Sequence, residues 1–145
     1  MHRKVAAAIV AALALAVASC GGSERTTLDR AELIRQVELA CRAAGQKTEQ
    51  QSRGRGASSN PYGALRDGQR LLADRLEQLE GSGGQKEAFN AYKEGVRTRL
   101  DAIEKVASAP RAEQPRVLRS VRREAIASGR QIEAAVERLG LKGCG

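Results

Sequence analysis

The sequence predicts an all-α fold, an antiparallel four-helix bundle closed by one disulfide. Four segments repeat apolar residues three and four positions apart, the period of a helix with one buried face. Stretches rich in glycine, serine or proline separate them. No segment reads as a plausible strand. Helices that each carry one apolar stripe satisfy it by packing on one another, which makes a bundle the simplest solution.

The chain opens on His2-Arg3-Lys4, a short cationic start, followed by an uninterrupted apolar segment from Val5 to Val17. That length fits the roughly 7–15 residues of a signal-peptide core and is too short for a permanent membrane span. Val17-Ala18-Ser19-Cys20 then resembles a bacterial lipobox. The resemblance implies a diacylglyceryl thioether on Cys20, cleavage just before it, and Cys20 as the mature N-terminus. Residues 1–19 are read as a lipoprotein signal peptide, 20–26 as a lipidated tether and 27–145 as the bundle domain. Removing 1–19 leaves 126 of the 145 residues, enough for one domain with one core.

Thr26 is the expected cap of the first helix, with Asp29 three positions on in a loose capping box. Leu33, Ile34, Val37, Ala40, Cys41 and Ala44 recur at helical spacing, which puts Cys41 on the buried stripe. After Gly45 the pattern fails, and 46–60 is expected to be a flexible linker into which the helix frays. Ala57 is the only apolar residue from Gln46 to Ser59, and Ser52-Arg53-Gly54-Arg55-Gly56 is a flexible signature.

Asn60-Pro61 reads as an N-cap with proline in the first helical position. Leu65, Leu72, Leu76 and Leu79 give the second helix its apolar face, and Gly81-Ser82-Gly83-Gly84 ends it. The third helix runs from about Gln85 to Ser108 on Phe89, Tyr92, Val96, Leu100, Ile103 and Val106. Pro110 and Pro115 bracket the next turn. In the fourth helix Leu118, Val121, Ala125, Ser128, Ile132, Ala135 and Leu139 alternate spacings of three and four. Gly140-Leu141 resembles a Schellman stop.

With Cys20 claimed by lipid, Cys41 and Cys144 remain, an even pair in an oxidising compartment, and a bond between them is expected. Two free thiols in a redox or metal site would need further ligands that the sequence does not offer. The pairing raises a geometric problem. Cys41 lies well up the first helix, whereas an up-down-up-down bundle brings the end of helix four beside the start of helix one. Two arrangements reconcile them. The tail after Leu139 runs back along a first helix that overhangs the bundle, or residues 46–59 cross its full height. Short connections favour the returning tail.

The chain carries 25 basic and 17 acidic side chains, a balance of +8 that falls to +6 when Arg3 and Lys4 leave with the signal. Export makes nucleic acid an improbable partner, and the two repeats Arg53-Gly54 and Arg55-Gly56 lack an interleaved aromatic. Arg116, Arg119, Arg122, Arg123, Arg130 and Arg138 form a candidate basic surface for anionic lipid or wall polymer. Glu124, Glu133 and Glu137 are interleaved among them, so a plain solvated face is the simpler expectation.

His2 is the sole histidine and leaves with the signal, which removes Ser-His-Asp, Cys-His and histidine-metal chemistry. No cofactor is expected. Glu87, Glu94 and Asp101 share one face of the third helix and are expected to pair with Lys93 and Arg97 rather than to catalyse. Gly68, Gly95 and Gly129 interrupt helix interiors, for close packing or for a ligand groove, with close packing the simpler account.

With Cys20, Cys41 and Gly140-Leu141-Lys142-Gly143-Cys144-Gly145, the chain resembles small helical lipoproteins of high-GC actinobacteria. Those pair a cysteine in the first helix with one just after the last. The resemblance implies lipidation at Cys20 and a Cys41–Cys144 bridge, and transfers no activity. The expectation is a non-catalytic, membrane-anchored envelope lipoprotein acting as an interaction or structural module on the extracytoplasmic face. Its partners would be the membrane and an envelope protein or wall polymer. The alternative is a carrier or sensor of an apolar ligand in the bundle core.

Overall fold

The structure, a computed structural model, describes residues 26–54 and 60–144. The expected signal segment, the lipobox and Cys20 lie outside the described residues. Four α-helices dominate: α1 (Arg30–Gly54), α2 (Pro61–Glu77), α3 (Lys86–Ser108) and α4 (Gln114–Leu139). Among the described residues no helix is long and apolar enough to cross a membrane.

Two short strands that periodicity did not announce join the helices. β1 (Thr26–Leu28) lies parallel to β2 (Leu79–Gly81), with Thr26 opposite Leu79 and Leu28 opposite Gly81. Ser82 Oγ extends the pairing by donating to Leu28 O at 3.0 Å. A Cβ on Gly81 would stand 3.0 Å from Leu33 Cδ2, so glycine lets β2 lie directly on the core. Because Thr26 belongs to β1, the cap of α1 falls to Asp29 instead. Glu32 N donates to Asp29 Oδ1 at 2.9 Å and Leu33 N to Asp29 O.

The start of α2 matches expectation. Asn60 Oδ1 accepts from Tyr62 N at 3.1 Å, Pro61 opens the helix, and Asn60 Nδ2 donates to Ala107 O at the end of α3. At the other end of α2, Gln78 is the C-cap, and the residues expected to end the helix form β2 and a short 3₁₀ turn at Gly83–Gln85 instead.

α1 continues past Gly45 to Gly54, so residues 46–54, expected as linker, are helical; residues 55–59 lie outside the described residues. The polar side chains of this extension bond back within the helix and, through Gln51, to α2. Thr48 Oγ1 donates to Ala44 O, Ser52 Oγ to Thr48 O, and Gln51 Nε2 to Asp67 Oδ2 on α2. The absence of a Cβ at Gly68 lets α2 approach closely: one built there would sit 2.0 Å from Thr48 Oγ1 and 2.8 Å from Ala44 O. A Cβ at Gly95 would likewise meet Ile132 Cγ1 at 2.8 Å. Gly129 departs from the close-packing expectation, with nothing nearer than Arg99 Nη2 at 3.9 Å.

One apolar cluster runs through the bundle. Leu33, Val37, Ala40 and Ala44 of α1 meet Leu72 and Leu76 of α2, Phe89, Tyr92 and Val96 of α3, and Ile132, Ala135 and Leu139 of α4. Phe89 and Tyr92 are fully buried. Ala102, Val106 and Val121 form a smaller cluster, with Tyr62 and Val117 against it. Leu65 and Leu118, expected on buried stripes, are exposed instead. Neighbours in sequence pack on one another, α1 on α2, α2 on α3 and α3 on α4, whereas α1 and α4 make little direct contact.

The tail fills part of that gap. Gly140 adopts φ +74°, its N–H donates to Val136 O and Glu137 O, and Leu141 N donates to Val136 O at 3.1 Å. This is the Schellman stop read from Gly140-Leu141. Leu141 is buried and Lys142 N reaches Glu38 Oε1 at 2.8 Å. The chain therefore returns along α1 and sets Cys144 against Cys41, Cα atoms 5.5 Å apart and sulfurs at bonding distance, 2.20 Å. Leu33, in the first turn of α1, is already buried, so no overhang of that helix is needed.

Candidate functional site

Two features carry chemistry: a groove along the α1–α4 seam and the outward face of α4. The groove encloses about 400 Å³ above the returning tail. Its floor is the apolar core itself, Ala44, Leu72, Tyr92, Val96 and Ile132, and Cys41 and Cys144 lie at its base. Polar groups reach it from three helices: Thr48 and Glu49, Gln69, and Arg99.

Two polar groups among the lining residues, the Tyr92 hydroxyl and the Gln69 amide, are poorly served. Tyr92 Oη lies 3.2 Å from Cys41 Sγ, a weak acceptor. Burial pushes the Tyr92 phenol up from 10 to about 12, and the nearby Arg99 guanidinium offsets only part of that rise. Gln69 Oε1 is buried with no hydrogen-bond partner among the described residues. The same holds for Gln51 Oε1, between α1 and α2. An unpaired buried carbonyl costs about 1–3 kcal/mol.

On α4, Arg116, Arg119, Arg122, Arg123 and Arg130 are all exposed. Of the interleaved carboxylates, Glu133 and Glu137 are exposed in the last two turns of the helix. Glu124 is the only acid between Gln114 and Ile132, and it is turned to α3, where it accepts from Lys105 Nζ at 3.2 Å. Arg138 stands apart from the other five, near the end of the helix and 3.9 Å from Glu87 on α3. Leu118 and Ile126 are 41% and 46% exposed, with Arg122 one turn from each. The apolar period alone could not flag them: Leu118 keeps step with the buried stripe, and nothing local marks where that stripe meets solvent.

The acidic face of α3 braces the bundle, although not with the partners expected. Arg97 pairs with Glu77 on α2 at 2.6 Å, and Lys93 Nζ lies 5.1 Å from the Phe89 ring centroid. Glu94 Oε2 accepts from Gln131 Nε2 on α4. At the start of α1, hydrogen bonds from Arg35 and then Gln36 hold the Glu32 carboxyl down to about 2. Among the described residues, no group of three or more histidine, cysteine, aspartate or glutamate side chains is placed to hold a metal ion.

Reasoning from sequence weighed a groove only through the helix-interior glycines and did not name Gln69 or Arg99. Their signal is tertiary, because side chains of all four helices and the tail line the groove together. No protein-family model, curated protein or solved structure matches the chain.

Proposed function

We propose that the chain is a membrane-anchored envelope lipoprotein, a non-catalytic interaction module on the extracytoplasmic face, tethered through lipid on Cys20. Its fold is an up-down-up-down antiparallel bundle closed by a Cys41–Cys144 bond. Contacts at both ends support that topology: Asn60 to Ala107 joins the start of α2 to the end of α3, and Arg138 to Glu87 joins the end of α4 to the start of α3. The observation that carries the reading is the cysteine pair. Two thiols far apart in sequence meet at bonding distance, an arrangement that persists in oxidising compartments and is rare in the cytosol. The lipobox supplies the address.

Metabolic labelling with palmitate tests it. The full chain takes up label and Cys20→Ser does not, while Cys41 and Cys144 resist alkylation until a reductant is added. An unlabelled wild type, or thiols that react at once in freshly isolated protein, overturns the proposal.

The apolar side chains that line the groove favour a second reading, a carrier of an apolar ligand. Native mass spectrometry of protein isolated from the envelope tests it: a reproducible added mass supports the carrier, and a consistently empty protein removes it.

A further inference from the structure

We propose that the outward face of α4 docks on an anionic lipid surface. Arg116, Arg119, Arg122, Arg123 and Arg130 meet headgroup phosphates there, and Leu118 and Ile126 enter the boundary with the acyl chains. The inference deepens the membrane-anchored reading, on which it rests for the presence of a bilayer, by giving the domain a second contact with it.

Charge and position carry the argument. From Gln114 to Ile132 the helix bears five arginines against Glu124, which Lys105 of α3 engages; Glu133 and Glu137 follow with Arg138 in the last two turns, so over α4 as a whole six arginines stand against three carboxylates. At about 100° per residue, Arg119, Arg123 and Arg130 fall in one narrow arc opposite the buried Val121, Ser128 and Ile132. Arg119 also has Arg116, Arg122 and Arg123 three and four positions away, spacings at which like charges repel. The first five turns of α4 thus present one sign of charge outward, with Leu118 and Ile126 exposed among the arginines. These two lie in one row with Arg122, about 12 Å apart along the axis at 1.5 Å per residue.

Exposed arginines around exposed aliphatics fit a lipid interface better than a soluble polyanion. A phosphate polymer would pair the guanidinium groups and leave Leu118 and Ile126 in water. At a bilayer the aliphatic side chains enter the boundary while the arginines extend to the phosphates. The face lies along the flank of α4, so docking lays the bundle on its side.

The chain contains no tryptophan, so Ile126→Trp provides a single fluorescent reporter on an exposed site. The full chain carrying it is placed in vesicles of phosphatidylcholine, with and without phosphatidylglycerol. Emission is expected to shift to the blue only with the anionic lipid. Adding Arg119→Gln, Arg122→Gln and Arg123→Gln should abolish the shift at the phosphatidylglycerol fraction that gives half of it in Ile126→Trp alone, because the docking equilibrium weakens about a hundredfold, at roughly fivefold per arginine. Leu39→Trp, on an exposed site of α1, should not respond.

Unchanged Ile126→Trp emission in anionic vesicles overturns the proposal, as does a response at Leu39→Trp in its place. Inorganic polyphosphate binding more tightly than the vesicles, with emission still water-like, overturns it in favour of a polyanion site. The anchor is read separately: if wild type takes up no palmitate while the phosphatidylglycerol response persists, the lipidation reading fails and this face stands.

Discussion

Two glycines that look alike in sequence should respond to alanine with opposite signs. In a helix interior alanine is favoured over glycine by about 1 kcal/mol, so an alanine that meets nothing gains that amount. Gly129 is such a site, its nearest prospective neighbour being the flexible tip of Arg99 at 3.9 Å. Gly68 is the opposite. Its new methyl would stand 2.0 Å from Thr48 Oγ1, which a rotamer change can relieve, and 2.8 Å from the backbone oxygen of Ala44, which it cannot. Separating α1 from α2 by the required fraction of an ångström is overpacking, at about 1–3 kcal/mol and at the upper end where backbone must move.

The expected net effects are therefore a gain of about 1 kcal/mol for Gly129→Ala and a loss of about 2 kcal/mol for Gly68→Ala. Urea denaturation followed by far-ultraviolet circular dichroism measures both. Thr48→Ala in the Gly68→Ala background should recover only part of the loss, because the Ala44 carbonyl remains. If Gly129→Ala destabilises as much as Gly68→Ala, or if Thr48→Ala restores full stability, the assignment of the α1–α2 contact is refuted.

Two further outcomes follow from the seam. Replacing Cys41 and Cys144 together by serine reopens a loop spanning 103 residues of sequence separation. The chain-entropy cost is about 4–5 kcal/mol, so the urea midpoint should fall sharply and reductant should have no further effect on the variant; an unchanged midpoint would show that the bond constrains nothing. The buried Tyr92 phenol keeps its proton to about pH 12 in the folded chain, whereas in the unfolded chain it ionises near 10. Stability is therefore unaffected by this group below pH 10 and falls by about 2–3 kcal/mol in all as pH rises towards 12. Tyr92→Phe should flatten that alkaline slope, and denaturation profiles with the same slope in both proteins would contradict the burial argument.

How far the sequence could be read depended on where the deciding forces act. The Asn60-Pro61 start, the Gly140-Leu141 stop and the helical faces depend on residues within a turn or two of one another, and the structure reproduces them except at Leu65 and Leu118. The extension of α1 to Gly54 was illegible because it has no apolar stripe: its bonds are polar ones from Thr48, Gln51 and Ser52, beside the space left by Gly68. β1 and β2 are too short to show alternation, and pairing them took Thr26 away from the cap that Asp29 then supplied. The seam needed knowledge of which helices do not touch, and no pattern within one helix reports that.

The parallel pairing of β1 with β2 has a mechanical consequence. Thr26 to Leu28 lie in register beside Leu79 to Gly81, immediately ahead of α1. Tension applied to the chain before Thr26, directed along the strand, loads the ladder in shear and stresses its hydrogen bonds together rather than peeling them one at a time. The first part of the fold to bear a tug from that end is therefore a clasp on the link between α2 and α3, and α1 stays wound until the clasp lets go.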